Sequence, residues 1–148
     1  MTDYSWVHDL ADVDFNELAH LYRIAPLGDK SPEALATVFG NSMFRCFVCC
    51  GGALVGAGRA LADGVDCAYI GDVAVHPDHQ GRGLGSGIMR SLIDLARGHK
   101  KIILYSSPGT EVFYEGLGFL RMKTAMGLWG DPGRAIEIGL LDGESSPM

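Results

Sequence analysis

The sequence predicts a mixed α/β domain: a central, twisted, mostly antiparallel sheet with one parallel strand pair, flanked by helices. Three observations carry this. Strand-like runs over 43–50, 53–62 and 66–75 follow one another across Gly51-Gly52 and Asp63-Gly64, the pattern of an antiparallel meander. The third run passes through a glycine-rich turn into an apolar helical stripe and then a second apolar run, Lys101 to Tyr105, and such a unit is a right-handed crossover joining parallel strands. Ahead of the meander, two segments carry helical spacing.

Taken in order, a short strand opens the chain near Tyr4 to His8. Phe15, Leu18, Ala19, Tyr22 and Arg23 then recur at helical spacing, starting at Val13-Asp14 and stopped by Pro26, which has no N–H to give. Ser31-Pro32-Glu33 opens a second helix as cap, first residue and acidic first turn, and Gly40-Asn41 closes it. After the meander, Leu84, Ile88, Leu92 and Leu95 form one stripe with Met89, Ile93 and Ala96, ending at Gly98. Ser107 and Pro108 can open a further helix and Gly118 close it, with Phe113 and Leu117 facing the core and Tyr114 about 100° round from Phe113. Phe119 to Trp129 and Ala135 to Leu140 read as a closing antiparallel hairpin around Gly130-Asp131-Pro132-Gly133, a surface suited to a homodimer or a substrate wall.

A chain of 148 residues reads as one domain, 1–148, with a flexible tail over about 142–148. A net charge of −6 argues against a nucleic-acid partner, which would need clustered Lys and Arg, and favours a cationic acceptor such as an amine. The longest apolar stretch, Cys46 to Gly58, is too short to span a bilayer, and Asp3, His8, Asp9 and Asp12 interrupt any leader-like start. A cytoplasmic protein with no membrane partner is expected. Cys46 and Cys49 have a Cys-x-x-Cys spacing, but in a strand they point to opposite faces and serve as small buried hydrophobes. His76 and His79 have a metal-like spacing, yet Pro77 lies between them and no further ligands cluster, so no metal is expected.

Most of the chemistry lies from Ile70 to Ser86, a strand that enters a helix through Gly81, Gly83 and Gly85. A helix leaves its first N–H groups unpaired and its dipole makes that end partly positive, so an anion placed there gains several hydrogen bonds. The glycines let the main chain approach a bulky diphosphate, and Ser86 can add a hydroxyl donor. A triphosphate-binding loop would need a lysine, and none occurs between Lys30 and Lys100. The Gly-x-Gly-x-x-Gly dinucleotide fingerprint also fails, because its last place falls on Ser86, Ile88 or Arg90.

What the loop does match is Gln/Arg-x-x-Gly-x-Gly/Ala, as Gln80-Gly81-Arg82-Gly83-Leu84-Gly85, preceded by Val73-Ala74-Val75-His76-Pro77. This resembles the GNAT superfamily of acyl-CoA-dependent N-acyltransferases, and Phe113-Tyr114-Glu115-Gly116-Leu117-Gly118-Phe119 is similar to the second signature of that family. The resemblance implies a GNAT-like fold, with the parallel pair splayed to receive the cofactor. It implies acetyl-CoA (coenzyme A) as co-substrate, its pyrophosphate wrapped by Gln80, Gly81, Arg82, Gly83, Leu84, Gly85 and Ser86 and its pantetheine arm held on the main chain of Val73, Ala74 and Val75. Tyr114 is implied as the general acid that protonates the departing thiolate, in a direct acetyl transfer to the primary amine of a small molecule. In that family the first helix pair and its loop border the acceptor, which makes Tyr22, Arg23 and Asp29 candidate substrate contacts, with Arg59 added from the sheet. A protein lysine or N-terminal acceptor stays open, as does a non-catalytic acyl-CoA-binding module with no use for Tyr114. In one departure, many members carry an Asn soon after the strand that precedes the second signature, where this chain has Ser106-Ser107-Pro108.

Two readings attach to Asp72, a carboxylate inside an apolar strand. It takes the proton of the acceptor amine, directly or through water, or it fixes a neighbouring loop. If Asp63 and Gly64 form a two-residue turn, Ala62 faces Val65 and Arg59 faces Ala68, leaving Arg59 and Asp72 on one face but about 13 Å apart. Asp66 is then the expected partner of Arg59, unless a bulge changes the register. Glu111 either orients an acceptor or steadies its own helical turn, and Arg82 and Arg90 could approach phosphates.

Overall fold

The computed structural model describes residues 3–143, so residues 144–148 of the expected tail lie outside the described part. Packing divides the chain into two units, Met1–Leu104 and Tyr105–Met148. The first is built on a five-stranded sheet in the order β1-β2-β3-β4-β5, with β1 Tyr4–Val7, β2 Phe44–Cys50, β3 Ala53–Ala62, β4 Cys67–Val75 and β5 Lys101–Ile103. Neighbours from β1 to β4 run antiparallel, and β4 and β5 are parallel, with Cys67 beside Lys101 and Tyr69 beside Ile103. The mixed, mostly antiparallel sheet is thus the one the sequence predicts. The parallel ladder ends at Tyr69, so β4 continues for six residues, Ile70 to Val75, outside its pairing with β5.

Two helices cover one face of this sheet. Helix α1 (Phe15–Ile24) starts where the Asp14 carboxylate accepts from the N–H groups of Asn16 and Glu17. Helix α2 (Pro32–Gly40) starts where the Ser31 hydroxyl accepts from the Ala34 N–H, with Pro32 at a position that needs no donor. Their buried Leu18, Leu21, Tyr22, Leu35 and Phe39 pack with Phe47, Ala57 and Ala74 of the sheet, and each large apolar side chain contributes about 1.5–3 kcal/mol of burial. The Phe39 and Phe47 rings stack at 5.4 Å.

Helix α3 (Leu84–Leu95) covers the other face through Leu84, Ile88, Met89 and Leu92. Glycines in β3 make room for it: a Cβ on Gly58 would stand 2.7 Å from Ile88 Cγ2, and one on Gly56 3.0 Å from Ile88 Cδ1. Their role is close helix approach, since neither needs a positive φ. Cys46 lies opposite Gly58 on this side, whereas Cys49 packs against the core beneath α1 and α2, as strand alternation requires.

The β3–β4 hairpin departs from its expected register. Only Gly64 takes a positive φ, at 90°, and the Asp63 carboxylate instead accepts from the N–H groups of Val65, Asp66 and Cys67. The turn is therefore longer than two residues, Ala62 pairs with Ala68, and Arg59 stands opposite Gly71, not Ala68. A bulge follows, because the next pair is Ala57 with Ala74, leaving Asp72 and Val73 to face Gly58.

In the second unit, α4 is only Glu111–Glu115, shorter than the helix expected from Ser107 to Gly118. Ser107 forms a turn in which the Thr110 N–H and hydroxyl both donate to its carbonyl. Gly118 closes the segment as expected, at φ 101°, with the Phe119 N–H donating to the Tyr114 carbonyl at 3.1 Å. Phe113 is 39% exposed, so Tyr114 and Leu117, three apart, form the inward pair rather than Phe113 and Leu117. The expected closing hairpin does not form among the described residues. Asp131-Pro132 acts as a helix start instead of a turn: the Asp131 carboxylate accepts from the Arg134 N–H and Pro132 opens α5 (Pro132–Glu137). Residues 119–130 are irregular, with Leu120, Met126 and Leu128 almost fully exposed.

Candidate functional site

Asp72 is the one non-glycine residue with a positive φ, 56°, among the described residues. A left-handed conformation at an L-residue is strained, and a ring of contacts holds it. The Arg59 Nε donates to Asp72 Oδ2 at 2.8 Å, and the Lys30 Nζ lies 3.7 Å from Oδ1. The Tyr22 hydroxyl donates to the Asp72 main-chain carbonyl at 2.6 Å. Arg59 also reaches the Ser42 hydroxyl at 3.3 Å, and that hydroxyl donates to Val38 at the end of α2.

This arrangement corrects two expectations. Arg59 pairs directly with Asp72, because the longer turn and the bulge move the register, and Asp66 pairs instead with Lys101 at 2.8 Å. Tyr22 is fully buried and cannot touch an acceptor from solvent. Burial first, then the nearby Asp72 carboxylate, pushes its hydroxyl well above the ordinary tyrosine range, so it remains a donor. Arg23 and Asp29 lie 3.5 Å from each other on the surface, both largely exposed, a pair that contributes little to stability. For Asp72 itself, the loop-fixing reading matches the geometry: through Lys30 it ties the α1–α2 connection to β4. Lys30 and Ser42 carried no signal in the sequence, since an ordinary surface lysine and a residue just past a helix end look alike everywhere.

Past β4 the chain makes a 3-10 turn, Pro77–His79. His76 Nδ1 accepts from the Asp78 N–H, and His79 Nδ1 lies 3.0 Å from the Tyr4 hydroxyl. The Gln80 side-chain amide donates back to the Val75 carbonyl at 3.2 Å, closing the loop on its own strand. Gly81 and Gly83 have φ of 77° and 80°, and Gly83 caps α3 with no side-chain hydrogen bond. A Cβ at either would meet nothing within 4 Å, so backbone conformation and not crowding calls for glycine there. Gly85 already lies inside α3. Arg82 reaches the Tyr4 hydroxyl at 3.1 Å. Among the described residues, no side-chain hydrogen bond caps the main-chain donors at the start of α3.

In the second unit, the Tyr114 ring stands edge-on to Phe113 at 5.0 Å and to Phe119 at 6.3 Å. Burial raises its hydroxyl above the ordinary range. Glu111 turns back on its own helix start: its carboxylate accepts from the Gly109 N–H at 3.2 Å, and its own N–H and that of Gly109 hold it below the usual carboxylate range. Of its two readings, steadying the turn is the one the contacts match.

Comparison with known proteins converges on one family. The sequence model of the acetyltransferase (GNAT) family matches residues 10–119. An uncharacterised N-acetyltransferase, ycf52, of Porphyra purpurea is 43% identical over 70 residues, a match covering 46% of this chain and only 40% of that protein. The glucosamine 6-phosphate N-acetyltransferase 1 of rice, Oryza sativa, is 35% identical over 137 residues, 82% of this chain and 83% of that one. In fold, a GNAT-family acetyltransferase of Streptococcus pneumoniae superposes with a TM-score of 0.75 at 22% identity, covering 86% of this chain and 97% of that one. The open glycine turn into α3, the β4 strand that leads to it and a family match over most of the length agree: this chain belongs to the acetyltransferase (GNAT) family.

Proposed function

We propose that the chain transfers an acetyl group from acetyl-CoA to the primary amine of a small molecule. The observation that carries this reading is the open start of α3. Gly83 turns the main chain into the helix with no side-chain cap hydrogen bond among the described residues, leaving the N–H groups of Leu84, Gly85 and Ser86 for an anion. A diphosphate suits several converging neutral donors on a glycine turn better than it suits a single cation.

Acetyl-CoA supplies an activated thioester when bound. On this reading the residues from Gln80 to Ser86 hold its diphosphate, and the main chain of Val73, Ala74 and Val75 holds the pantetheine arm. Main-chain N–H groups polarise the thioester carbonyl as the amine attacks. Tyr114 gives its proton to the departing sulfur, and a hydroxyl whose burial keeps it protonated is in the right state for that task. The amine loses its proton to water. Asp72, already paired with Arg59 and Lys30, orders the strand rather than receiving that proton.

A second acceptor reading, an amino-sugar phosphate, is favoured by the name of the rice relative, which covers most of this chain. The deciding experiment measures free thiol released from acetyl-CoA with simple amines, amino-sugar phosphates, and peptides with a free N-terminus or lysine. Release with one of the first two groups is expected. Release with peptides alone moves the acceptor class, and no heat of coenzyme A binding in calorimetry ends the proposal.

A further inference from the structure

The proposed chemistry assigns nothing to Tyr22, yet this polar side chain is fully buried and aimed at the residue where β4 is strained. The bulge at Asp72 changes everything downstream of it by one position. Before it Ala60 pairs with Ile70 and Arg59 with Gly71; after it Ala57 pairs with Ala74 and Gly56 with Val75. As a result Ala74 enters the core beneath α1 and α2, while Val73 stands over Gly58 on the α3 side. The parallel ladder with β5 has already ended at Tyr69. The course of the main chain from Val73 to Val75 is therefore set by the bulge and not by β5.

Left-handed geometry at an aspartate persists only where the surroundings over-determine it. The side-chain half of that restraint is the ion pair with Arg59 and the nearby Lys30. The main-chain half is the Tyr22 hydroxyl, brought from α1 to within 2.6 Å of the Asp72 carbonyl, and it alone of these groups grips the peptide unit that leads into Val73. We infer that Tyr22 is a positioning residue: by holding the Asp72 carbonyl it fixes the bulge, and so aims the main chain of Val73–Val75 at the thioester arm. This rests on the acetyl-CoA reading above for what is aimed at, but not for the restraint itself.

Tyr22→Phe removes the hydroxyl and leaves the ring in its packing. Leu35→Val, a small deletion in the core that α2 shares with Tyr22 but with no hydrogen bond to Asp72, serves as a control for general loosening. Two quantities are measured in each full-length variant: the affinity for coenzyme A by calorimetry, and main-chain amide exchange from Asp72 to His76 by NMR. Tyr22→Phe is expected to weaken coenzyme A about tenfold and to speed exchange from Asp72 to His76 selectively, with Leu35→Val changing neither beyond about twofold. Equal effects of the two variants on both quantities, or none from Tyr22→Phe, overturn the inference. If the unaltered protein fails to bind coenzyme A, the functional reading falls, and the exchange measurement still decides the restraint: selective acceleration upholds it, and its absence removes it.

Discussion

Arg59 and Asp72 meet at 2.8 Å on one face of the sheet although Arg59 stands opposite Gly71, the residue before Asp72. Regular alternation would send Asp72 to the other face. One extra residue in β4 and a φ of 56° return its carboxylate to the side of α1, where Lys30 also reaches it and the Tyr22 hydroxyl donates to the main-chain carbonyl of the same residue. The cost of that backbone and the gain from the ion pair can be separated.

Asp72→Asn is expected to lower stability by about 1–2 kcal/mol, and Asp72→Ala by about 1–2 kcal/mol more. Asparagine tolerates the left-handed region but carries no charge for Arg59, whereas alanine loses both advantages. The side chains are 16% and 21% exposed, which keeps the pair below the full value of a buried one. Urea denaturation ranks the three proteins, and equal stability of the two variants would show that φ at this position costs nothing.

Gly83→Ala forces a Cβ into a φ of 80° with open space around it, so its cost of about 1–2 kcal/mol is conformational rather than steric. Its larger effect is expected on coenzyme A, whose affinity should fall about tenfold as the uncapped turn relaxes. Thermal melting and calorimetry separate the two effects. An unchanged affinity would place the anion site elsewhere.

Tyr114→Phe should reduce turnover at least about a hundredfold while leaving coenzyme A affinity within about twofold. The proton it donates is lost only above the ordinary tyrosine value of about 10, because burial raises the folded-state value. The alkaline fall in turnover of the unaltered protein should therefore lie above pH 10. Steady-state rates across pH test both statements, and undiminished turnover in the variant takes Tyr114 out of the mechanism.

Tyr22 links stability to alkaline pH. Its folded-state value lies well above the roughly 10 of an unfolded chain, so below about pH 10 both states are protonated and its hydrogen bond counts in full. As pH rises towards the folded value the unfolded chain ionises first, and stability is lost by up to about 1.4 kcal/mol per pH unit. The stability difference between the unaltered protein and Tyr22→Phe should stay constant below about pH 9 and shrink above pH 10. A difference that stays flat to pH 11 would mean that the hydroxyl titrates normally.

Features decided within a few residues were legible in the sequence. Asp14, Ser31-Pro32 and Gly83 mark helix starts through hydrogen bonds and backbone angles that need no distant partner, and the observed α1, α2 and α3 begin there. Asp131-Pro132-Gly133 shows the limit of local reading, because the same residues suit a turn or a capped helix, and the helix formed. Phe113 is exposed where the spacing predicts it inward for a related reason: a five-residue helix is too short for its periodicity to define a face.

By itself, then, the sequence determined the order of elements from β1 to β5, the mixed sheet and the glycine turn before α3, because each follows from short-range sterics and alternating polarity. Only the tertiary structure decided that Arg59, Lys30 and Tyr22 converge on Asp72. Their meeting depends on a hairpin lengthened at Asp63 and one unpaired residue in β4, and a shift of a single position moves every later side chain to a different neighbour.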